Sequence, residues 1–407
     1  MIRRRNTRMK LAYFTDTYLP TRDGVVTSML SFKEELQKKG HEVYIFCPDK
    51  RKGRLEEEKN VFRYASSSFG LYPEYNIAIF PYFANMKFKK LGIDIMHSHA
   101  LTTMGLAARH ISKKEKMPSV ATMHTLVPLA THYLKEGAMK KGMSTEFWEL
   151  ILKLVTSWAT KRLVYKIDSD TLWKALAWFF QPFDVVISPS QYTRTIMAEH
   201  GIQTQVVPNG IDTTRFRPDI DTREFRQRFG LEGKNVVLHV GRLTLEKNLD
   251  LLIDAAPLVK REYANVVFLV VGSGPARLHF ERRVSEKGLA DSFIFTGFLP
   301  DDMLPLTYAA CNMLAFPSNF ETQGLVALEA MGCGKPVVAA KDTAVSEVIA
   351  ENKNGYLFNG TAEDFANKIA ECLVKGARFS KAARETALAY SKEKCVKILI
   401  SVYEQLL

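Results

Sequence analysis

Two carboxylates, Glu321 and Glu329, are separated by seven residues in the segment FPSNFETQGLVALEAMGCGKP at 316–336. Such a pair can be a catalytic acid and base, or a loop acid followed by an ordinary helix glutamate. The run that follows Gly324 has helical character, so the backbone N–H groups from about Gly324 to Val326 are expected to point at an anion. The question is which chemistry the two acids then serve.

A diphosphate clamp is predicted by a second segment, VGRLTLEKNLD at 240–250, which carries Arg242 and Lys247 around a strand-to-helix turn. Arginine can bind a phosphate bidentately, lysine acts as a point charge, and the helix dipole adds to both. Alone the pattern is weak, because cations beside a loop are usually only solvated. Acids that flank a phosphate site are poor phosphate ligands and good acceptors for sugar hydroxyls. Together the segments predict a nucleotide diphosphate sugar, with one acid on each sugar.

Composition indicates an ordinary globular protein of about two domains, on a prior of ~150 residues each. The chain has 407 residues, of which 46% are hydrophobic and 25% charged. Its five cysteines are scattered, odd in number and without a C-x-x-C pair, which argues against a disulfide framework or a zinc site and favours a reducing compartment. The basic N-terminus runs straight into a strand-like segment, so we expect no secretory signal, and no stretch has the ~18 apolar residues of a spanning helix.

The positive charge is concentrated in the first half of the chain. Residues 1–190 contain 30 Lys and Arg against 18 Asp and Glu, whereas residues 191–407 contain 26 against 26, so the first half holds the whole net charge of +12. This asymmetry suggests an anionic partner, membrane or nucleic acid, although a basic proteome background would also produce it. No recognisable nucleic-acid-binding module occurs, so we expect no nucleic-acid partner.

Alternating strands and helices predict an α/β fold. The chain is expected to open with a short apolar strand that ends in a polar loop (9–20), a helix at 25–40 with Gly40 predicted as its C-cap, and a strand at 42–48. The alternation restarts after QVVPNGID at 205–212. Near-continuous β-branched runs between helices indicate parallel sheets covered on both faces. Two successive copies predict two Rossmann-like domains facing each other across a ligand-binding cleft. The glycine-rich turn VVGSGP at 270–275 is interpreted as structural.

An aromatic and basic stretch at 132–180 interrupts the alternation. It holds all four tryptophans, and a similar patch lies at 80–90. Rings interleaved with cations suit a bilayer interface, whereas the alternative is that the rings are core and the lysines solvated. We favour an anionic membrane surface contacted through both segments. The aromatic and basic residues of the 132–180 segment include Trp148, Trp158, Trp173, Trp178, Phe147, Tyr165, Phe179, Phe180, Lys161, Arg162, Lys166 and Lys174.

Several motifs taken in order resemble the family-4 retaining glycosyltransferases of the GT-B fold. They are VVPNGID, VGRLTLEKN, VGSGP, FTGFLPDDMLPLTYAAC, FPSNFETQGLVALEAMGCGKPVVA and NGYLF, within a match from about residue 9 to 360. The resemblance implies an N-terminal acceptor-binding domain (1–204), a nucleotide-sugar-binding domain (205–384) and a C-terminal helix that returns to the N-terminal domain (385–407).

The resemblance also implies roles for the site residues. Arg242, Lys247 and the first-loop Gly24 would meet the phosphates, Glu321 the transferred sugar near the reacting carbon, and Glu329 the ribose. Asp23 stands where many members have glycine, so this loop is expected to leave less room for the phosphates. The donor-binding set predicted is Gly24, Arg242, Lys247, Glu321, Gly324, Leu325, Val326 and Glu329, with Asp23 assigned to the acceptor side.

Three histidines follow predicted strands. His124, in ATMHT, is similar to the active-site histidine of the family, beside the donor sugar and acceptor, and His97 and His99, in HSH, are expected to line the acceptor side. Metal binding by paired histidines is the alternative, but no acid or cysteine joins them at ligand spacing, and the family is similar in needing no metal. The predicted catalytic set is His124, Glu321, Arg242 and Lys247.

The family resemblance implies transfer with retention, and no acid is placed as a double-displacement nucleophile, so we expect front-face substitution. TYLPTRDGVVTS at 17–28 and ETQGLVALEAM at 321–331 are most similar to diacylglycerol glucosyltransferases, with phosphatidylinositol mannosyltransferases sharing the basic first domain. We therefore expect a cytoplasmic enzyme, peripheral to the inner face of the membrane, that moves glucose from UDP-glucose to a lipid hydroxyl. The alternatives are a GDP-mannose donor, a soluble acceptor and a GT-B sugar-nucleotide epimerase.

Overall fold

The computed structural model describes residues 8–21, 23–49, 58–69, 72–79, 90–126, 128 and 169–407. The chain divides into two compact units. The first unit comprises Met1–Gly210 together with Lys392–Leu407, and the second comprises Ile211–Ser391. The divisions thus fall after Gly210 and Ser391, a little later than the sequence-based boundaries after residues 204 and 384.

Each unit is built on a fully parallel sheet. In the described part of the chain, the first unit has a sheet ordered β3-β2-β1-β6-β7-β8-β9 and an antiparallel β4-β5 pair, and the second unit has a sheet ordered β12-β11-β10-β13-β14-β15. The strands are β1 (Lys10–Phe14), β2 (Glu42–Pro48), β3 (Val61–Tyr64), β4 (Ser66–Phe69), β5 (Tyr72–Ala78), β6 (Ile95–Ser98), β7 (Ser119–Thr122), β8 (Val185–Ser188), β9 (Gln205–Val206), β10 (Asn235–Val240), β11 (Val266–Val271), β12 (Phe293–Gly297), β13 (Met313–Phe316), β14 (Val337–Ala340) and β15 (Gly355–Phe358).

Helices connect most successive parallel strands, as parallel pairing requires. The described α-helices are α1 (Gly24–Lys38), α2 (Thr103–Glu115), α3 (Ser169–Phe180), α4 (Gln191–Glu199), α5 (Arg223–Arg228), α6 (Leu249–Glu262), α7 (Arg277–Glu286), α8 (Leu304–Ala310), α9 (Leu325–Gly332), α10 (Ala362–Lys375), α11 (Ser380–Ala389) and α12 (Lys392–Glu404). None of the helices in these ranges is long and apolar enough to span a bilayer. The α/β fold with two Rossmann-like sheets is confirmed.

The opening β1-α1-β2 unit shows why the local sequence predicted it. Four of the five β1 residues are buried, as expected for a strand covered on both faces. Helix α1 begins after Asp23, whose Oδ1 accepts a hydrogen bond from the backbone N–H of Val26 at 2.8 Å. It ends before Gly40, whose φ of +88° is readily adopted by glycine. The C-cap residue is Lys39, so the C-cap predicted at Gly40 is off by one residue, although Gly40 directly after it has the left-handed φ of a helix end.

The C-terminal helix α12 belongs to the first unit, which confirms its predicted return. Lys392, at its start and almost fully buried, places Nζ 2.9 Å from Glu34 Oε2 and 3.9 Å from Glu35 Oε1 of α1. Near its end, the Tyr403 hydroxyl lies 3.1 Å from the hydroxyl of Tyr13 on β1. Helix α12 therefore contacts both α1 and strand β1 of the first sheet.

The prediction that the aromatic rings of 132–180 face a membrane is wrong for Trp173, Phe179 and Phe180, which are buried. Trp173 on α3 is 2% exposed and stacks on His200 with a centroid distance of 4.0 Å, and Phe179 and Phe180 are also buried. The apolar face of α3 therefore packs inward, where it removes aromatic area from water. Trp178 is instead 56% exposed. Residues 80–89 and 132–168 of the predicted surface lie outside the described residues.

The glycines of VVGSGP allow two loops of the second sheet to meet. A Cβ at Gly272 would lie 1.9 Å from the Gly241 carbonyl oxygen, and one at Gly274 would lie 2.4 Å from that of Leu243. Both contacts are far inside van der Waals range, and both involve backbone atoms that cannot rotate away. The structural interpretation of this turn agrees with the contacts, because the loop after β11 must touch the loop after β10.

We expect Gly272→Ala to destabilise the second unit by about 3 kcal/mol or more, because a backbone clash is added to an unfavourable φ of +137°. Gly288→Ala is the matched control, since Gly288 has a φ of +66° but open space around its Cβ position. The control should lose only about 1 kcal/mol. Urea unfolding of both variants provides the measurement, and equal losses would contradict the close approach.

Candidate active site

The donor residues predicted in the second unit lie on the segments that follow the carboxyl ends of two neighbouring strands, β10 and β13. The loop after β10 is held by a hydrogen bond from the Leu243 N–H to the Ser273 carbonyl at 3.0 Å. The Asn248 side-chain amide donates to the Pro317 carbonyl, after β13, at 3.3 Å. Strand ends of a parallel sheet are where such folds bind ligands. These contacts therefore place the VGRLTLEKN loop beside the FPSNFETQG loop.

An ion pair joins the two predicted donor motifs. Lys247 Nζ lies 2.6 Å from Glu321 Oε1, with side-chain exposures of 22% and 16%. Lys247 ends a short 3-10 helix, Leu245–Lys247, directly before α6. Arg242 is exposed on the same loop. The structure thus brings together the predicted phosphate-binding lysine and the predicted sugar-binding acid. One polar ligand could contact both side chains.

Helix α9 begins beside this pair, with Gly324 as its N-cap at a φ of +84°. A Cβ there would lie 2.4 Å from Val345 Cγ2, so both the conformation and the neighbour require glycine. The first backbone N–H groups of a helix, here those of Leu325 and Val326, have no acceptor within the helix. The predicted anion-binding end of α9 is present as a structural element.

Glu329 lies one turn into α9 and is held by a tyrosine. Its Oε2 accepts a hydrogen bond from the Tyr308 hydroxyl at 2.6 Å. Burial raises the pKa of Glu329 to about 7, while the Tyr308 hydrogen bond and the charge of Arg215 oppose the rise. Burial and the neighbouring carboxylate raise the pKa of Tyr308 well above its usual value, so the tyrosine stays a donor.

Sequence reasoning missed two neighbours of Glu329. Tyr308 lies in FTGFLPDDMLPLTYAAC, a motif that carried the family resemblance but received no role. Arg215, whose charge acts on Glu329, also forms an ion pair with Asp301 at 3.0 Å. No spacing rule connects these residues to α9, because the packing of separate elements, α8 against α9 in the case of Tyr308, brings them together. The motif itself was the one available signal for Tyr308.

In the first unit, Gly24 is the first residue of α1 and is exposed. A Cβ at Gly24 would meet nothing within 4 Å, so its surroundings are open to a ligand. Asp23, predicted for the acceptor side, caps α1 through Val26. A second acid, Asp16, accepts hydrogen bonds from the backbone N–H groups that begin α2, those of Leu101, Thr102 and Met104, and was missed because its partners are more than 80 residues away.

The histidines of the first unit form a stacked cluster at the ends of β6 and β7. His99 Nδ1 lies 3.0 Å from His124 Nε2, and the ring centroids are 5.2 Å apart. His124 is partly exposed, whereas His99 is 5% exposed. Burial lowers the pKa of His124 to about 4 and that of His99 well below its usual value. Both rings are therefore neutral at pH 7.

The assignment of His97 to the acceptor side is wrong. Its ring is 1% exposed, with Nδ1 2.6 Å from the Tyr403 hydroxyl and Nε2 2.7 Å from the Thr122 hydroxyl. Both nitrogens are engaged by protein, so the residue has no group left for a substrate. His97 points inward because it lies within β6 itself, whereas His99 follows the strand. Across the described residues, no group of three or more His, Cys, Asp or Glu could hold a metal ion.

With this geometry in hand, two family models match the chain in succession. The model for Glycosyltransferase Family 4 matches residues 22–215, and the model for Glycosyl transferases group 1 matches residues 221–387. The chain belongs to the family-4 GT-B glycosyltransferases. The two models divide the glycosyltransferase close to the boundary between its structural units.

Two groups of relatives are similar to this glycosyltransferase. It is 28% identical over 374 residues to the alpha-monoglucosyldiacylglycerol synthase of Streptococcus pneumoniae, which covers 90% of this chain and 78% of the relative. It is 35% identical over 192 residues to the GDP-mannose-dependent alpha-(1-6)-phosphatidylinositol monomannoside mannosyltransferase of Mycolicibacterium smegmatis, covering 44% of this chain and 50% of the relative. The chain is a glycosyltransferase homologous to both groups.

Among solved structures, Anabaena Alr3699/HepE in complex with UDP and glucose has a TM-score of 0.73. The alignment covers 98% of this chain and 100% of that one at 20% identity. At this identity the likeness concerns the fold, which is that of the GT-B glycosyltransferases. The roles of individual residues in binding the donor stay predictions.

Proposed function

We propose that the enzyme transfers glucose from UDP-glucose, with retention of configuration, to the hydroxyl of a membrane lipid of the diacylglycerol type. The observation that carries the donor half is the Lys247–Glu321 pair beside the N-terminus of α9. The similarity to a glucosyldiacylglycerol synthase over 90% of the chain supports the acceptor half.

The donor is assigned to the second unit. Its diphosphate would contact Arg242, Lys247 and the N–H groups of Leu325 and Val326, because a helix N-terminus and cations together favour a dianion. Glu321 would accept hydrogen bonds from hydroxyls of the transferred sugar. The ribose would lie at Glu329, where Tyr308 already orients the carboxyl group.

No carboxylate of the protein is assigned as a nucleophile, so the proposed chemical step is a direct substitution on one face of the sugar. The bond between the anomeric carbon and the diphosphate oxygen breaks while the lipid hydroxyl oxygen bonds to the same carbon from the same face. The hydroxyl proton passes to the departing diphosphate, whose charge Arg242 and Lys247 stabilise. The protein supplies positioning and electrostatic stabilisation, and no metal takes part in the proposed step.

The donor is tested by a hydrolysis screen in which UDP-glucose, UDP-galactose, GDP-mannose and GDP-glucose are compared at equal concentration. We expect UDP-glucose to be consumed fastest. Preference for GDP-mannose would favour the second candidate, a mannosyltransferase, which the 35% identity over 192 residues supports. Release of a free epimerised sugar nucleotide would favour the epimerase class and overturn the proposal.

We assign membrane contact to the first unit, at the cytoplasmic face of the membrane. Trp178, at the end of α3, is 56% exposed, and the Arg109 guanidinium of α2 lies 3.6 Å from its ring centroid. Arg109 also donates to the Trp178 carbonyl at 3.2 and 3.1 Å. Lys113, one turn after Arg109, and Lys174, one turn before Trp178, are exposed. A tryptophan among cations suits an anionic bilayer interface.

We expect Trp178→Ala to weaken binding to anionic vesicles about 10-fold, because interfacial affinity follows the apolar area that is buried. Co-sedimentation with phosphatidylglycerol-containing vesicles at low salt provides the measurement. Leu278→Ala is the matched control, since Leu278 is 77% exposed but lies in the second unit. If the wild-type enzyme stays in the supernatant, a soluble acceptor becomes the better account.

Donor affinity should depend on pH through Glu329. Its pKa is raised to about 7 by burial, so the carboxyl is protonated below that pH and cannot accept from both ribose hydroxyls. UDP-glucose should therefore bind about 10-fold more tightly at pH ~8 than at pH ~6, because binding favours the ionised form. Calorimetric titration checks the dependence, and Glu329→Gln should flatten it. A slope unchanged in that variant would contradict the ribose assignment.

A further inference from the structure

The buried imidazole of His99 has one nitrogen that its surroundings leave unexplained. Its Nδ1 faces His124 at 3.0 Å, but its Nε2 has no hydrogen-bond partner among the described residues and is inaccessible to solvent. A buried polar atom without a partner costs free energy, so its retention invites an explanation. The role assigned to His124 does not by itself account for it.

The position of the His99 ring is fixed by its neighbours. The His97 ring lies 4.0 Å from it and the Tyr13 ring 4.7 Å, both measured between centroids. His97 is held in turn by Tyr403 and Thr122, and the His99 backbone N–H donates to the Phe14 carbonyl at 2.7 Å. The ring therefore has little freedom to turn its Nε2 toward another acceptor or donor.

Only one hydrogen can lie between His99 Nδ1 and His124 Nε2, because both rings are neutral at pH 7. If His124 supplied it, His99 would carry its own hydrogen on Nε2, as a buried N–H without an acceptor. If His99 supplies it, Nε2 holds only a lone pair. Orphaned N–H groups are rarer in proteins than under-satisfied acceptors, so the second arrangement is favoured.

We propose that His99 is a positioning residue that donates from Nδ1 to His124 Nε2 and thereby holds His124 in the tautomer whose hydrogen is on Nδ1. The nitrogen that carries the hydrogen in a histidine is set by the bond that the other nitrogen makes. The inference deepens the proposed function and rests on it, together with the predicted place of His124 beside the donor sugar and acceptor.

The consequence is a division of labour in the transfer step. In this tautomer the lone pair of His124 Nε2 is occupied by His99, so that nitrogen cannot act as the base, and any hydrogen bond that Nδ1 makes is one that it donates. A donor of this kind suits an oxygen of the sugar or of the acceptor. The proton of the acceptor hydroxyl then goes to the departing diphosphate, as the proposed step requires.

The tautomer can be read directly from the enzyme labelled with 15N-histidine, because protonated and unprotonated ring nitrogens have well-separated shifts. Spectra at pH ~7 of the wild type, His124→Asn and His99→Asn would assign the two rings. We expect a protonated Nδ1 and an unprotonated Nε2 on His124. A protonated Nε2 on His124 would overturn the inference, whether or not the enzyme transfers sugar.

Two substitutions separate positioning from simple packing. Asparagine at residue 99 can place its amide N–H near the position of the lost Nδ1, whereas leucine cannot donate. His99→Leu should therefore lose the Nδ1–H preference of His124 and lower kcat about 10-fold with little change in KM, because a misplaced group costs rate more than binding. His99→Asn should retain the preference and most of kcat.

His110→Asn, on the exposed side of α2, is the control for removing a histidine from the same unit. An unchanged His124 tautomer in a folded His99→Leu variant would refute the positioning role. If the spectra agree with the inference but no donor is turned over, the proposed function fails and the tautomer assignment stands. Circular dichroism distinguishes a folded variant from an unfolded one.

Discussion

Lys247→Ala is expected to lower kcat/KM about 10³-fold, the largest single effect in the second unit. The substitution removes a cation placed where negative charge develops on the leaving diphosphate, and one preorganised electrostatic partner is worth about 10²–10³ in rate. It also leaves Glu321 without its partner at 2.6 Å, which would repel the phosphates. The two losses act in the same direction.

UDP affinity separates these effects from unfolding. We expect Lys247→Ala to bind UDP at least about 10-fold more weakly, with an unfolding free energy within about 1 kcal/mol of wild type, since the pair is only partly buried. Lys375→Ala is the matched control, because Lys375 forms an ion pair with Glu371 at 3.3 Å near the end of helix α10, where both side chains are 40% exposed. Near-normal turnover in Lys247→Ala would remove the phosphate assignment.

Glu321→Ala is expected to reduce kcat about 10²-fold or more while UDP affinity is kept. The reason is that Glu321 is assigned to the transferred sugar, whose hydroxyl contacts position the anomeric carbon for attack. Loss of the carboxylate also releases Lys247 toward the phosphates, so UDP binding should be equal or tighter. The two variants of one ion pair thus predict opposite changes in nucleotide affinity.

Side-by-side calorimetry with UDP and with UDP-glucose checks this contrast. Glu321→Gln, which keeps a hydrogen-bond acceptor, should recover part of the rate. If Glu321→Ala and Lys247→Ala weaken UDP binding equally, the acid contributes to the nucleotide rather than the sugar. The assignment of Glu321 to the sugar, Gly324 to the diphosphate and Glu329 to the ribose of the donor would then be wrong.

Sequence patterns anticipated the parts of the fold that local physics determines. The apolar segment at 42–48 coincides with β2, and Gly40, one residue past the C-cap of α1, has the left-handed φ expected where a helix ends. Parallel strands buried on both faces are near-continuous apolar runs, and these are visible without any tertiary information. The loops that carry Lys247 and Glu321 follow from the same runs, because they begin where the strands end.

Burial of individual aromatic and histidine rings could not be anticipated in the same way. Trp173 and Trp178 lie five residues apart on α3 and face different environments, so a count of tryptophans cannot tell a core ring from an exposed one. His97 and His99 differ because one lies in β6 and the other beyond it. Tyr308 meets Glu329 through the packing of α8 against α9, and Tyr403 meets Tyr13 and His97 through the returning helix α12.

The central claim is the transfer of glucose from UDP-glucose to a lipid hydroxyl. The direct test incubates the purified enzyme with UDP-[14C]glucose and vesicles containing diacylglycerol and phosphatidylglycerol, followed by NMR of the extracted lipid. We predict labelled glucosyl-diacylglycerol with an α-anomeric proton, formed by the wild type and lost in Lys247→Ala. Label that remains in water-soluble products, or a β-linked lipid, would contradict the account.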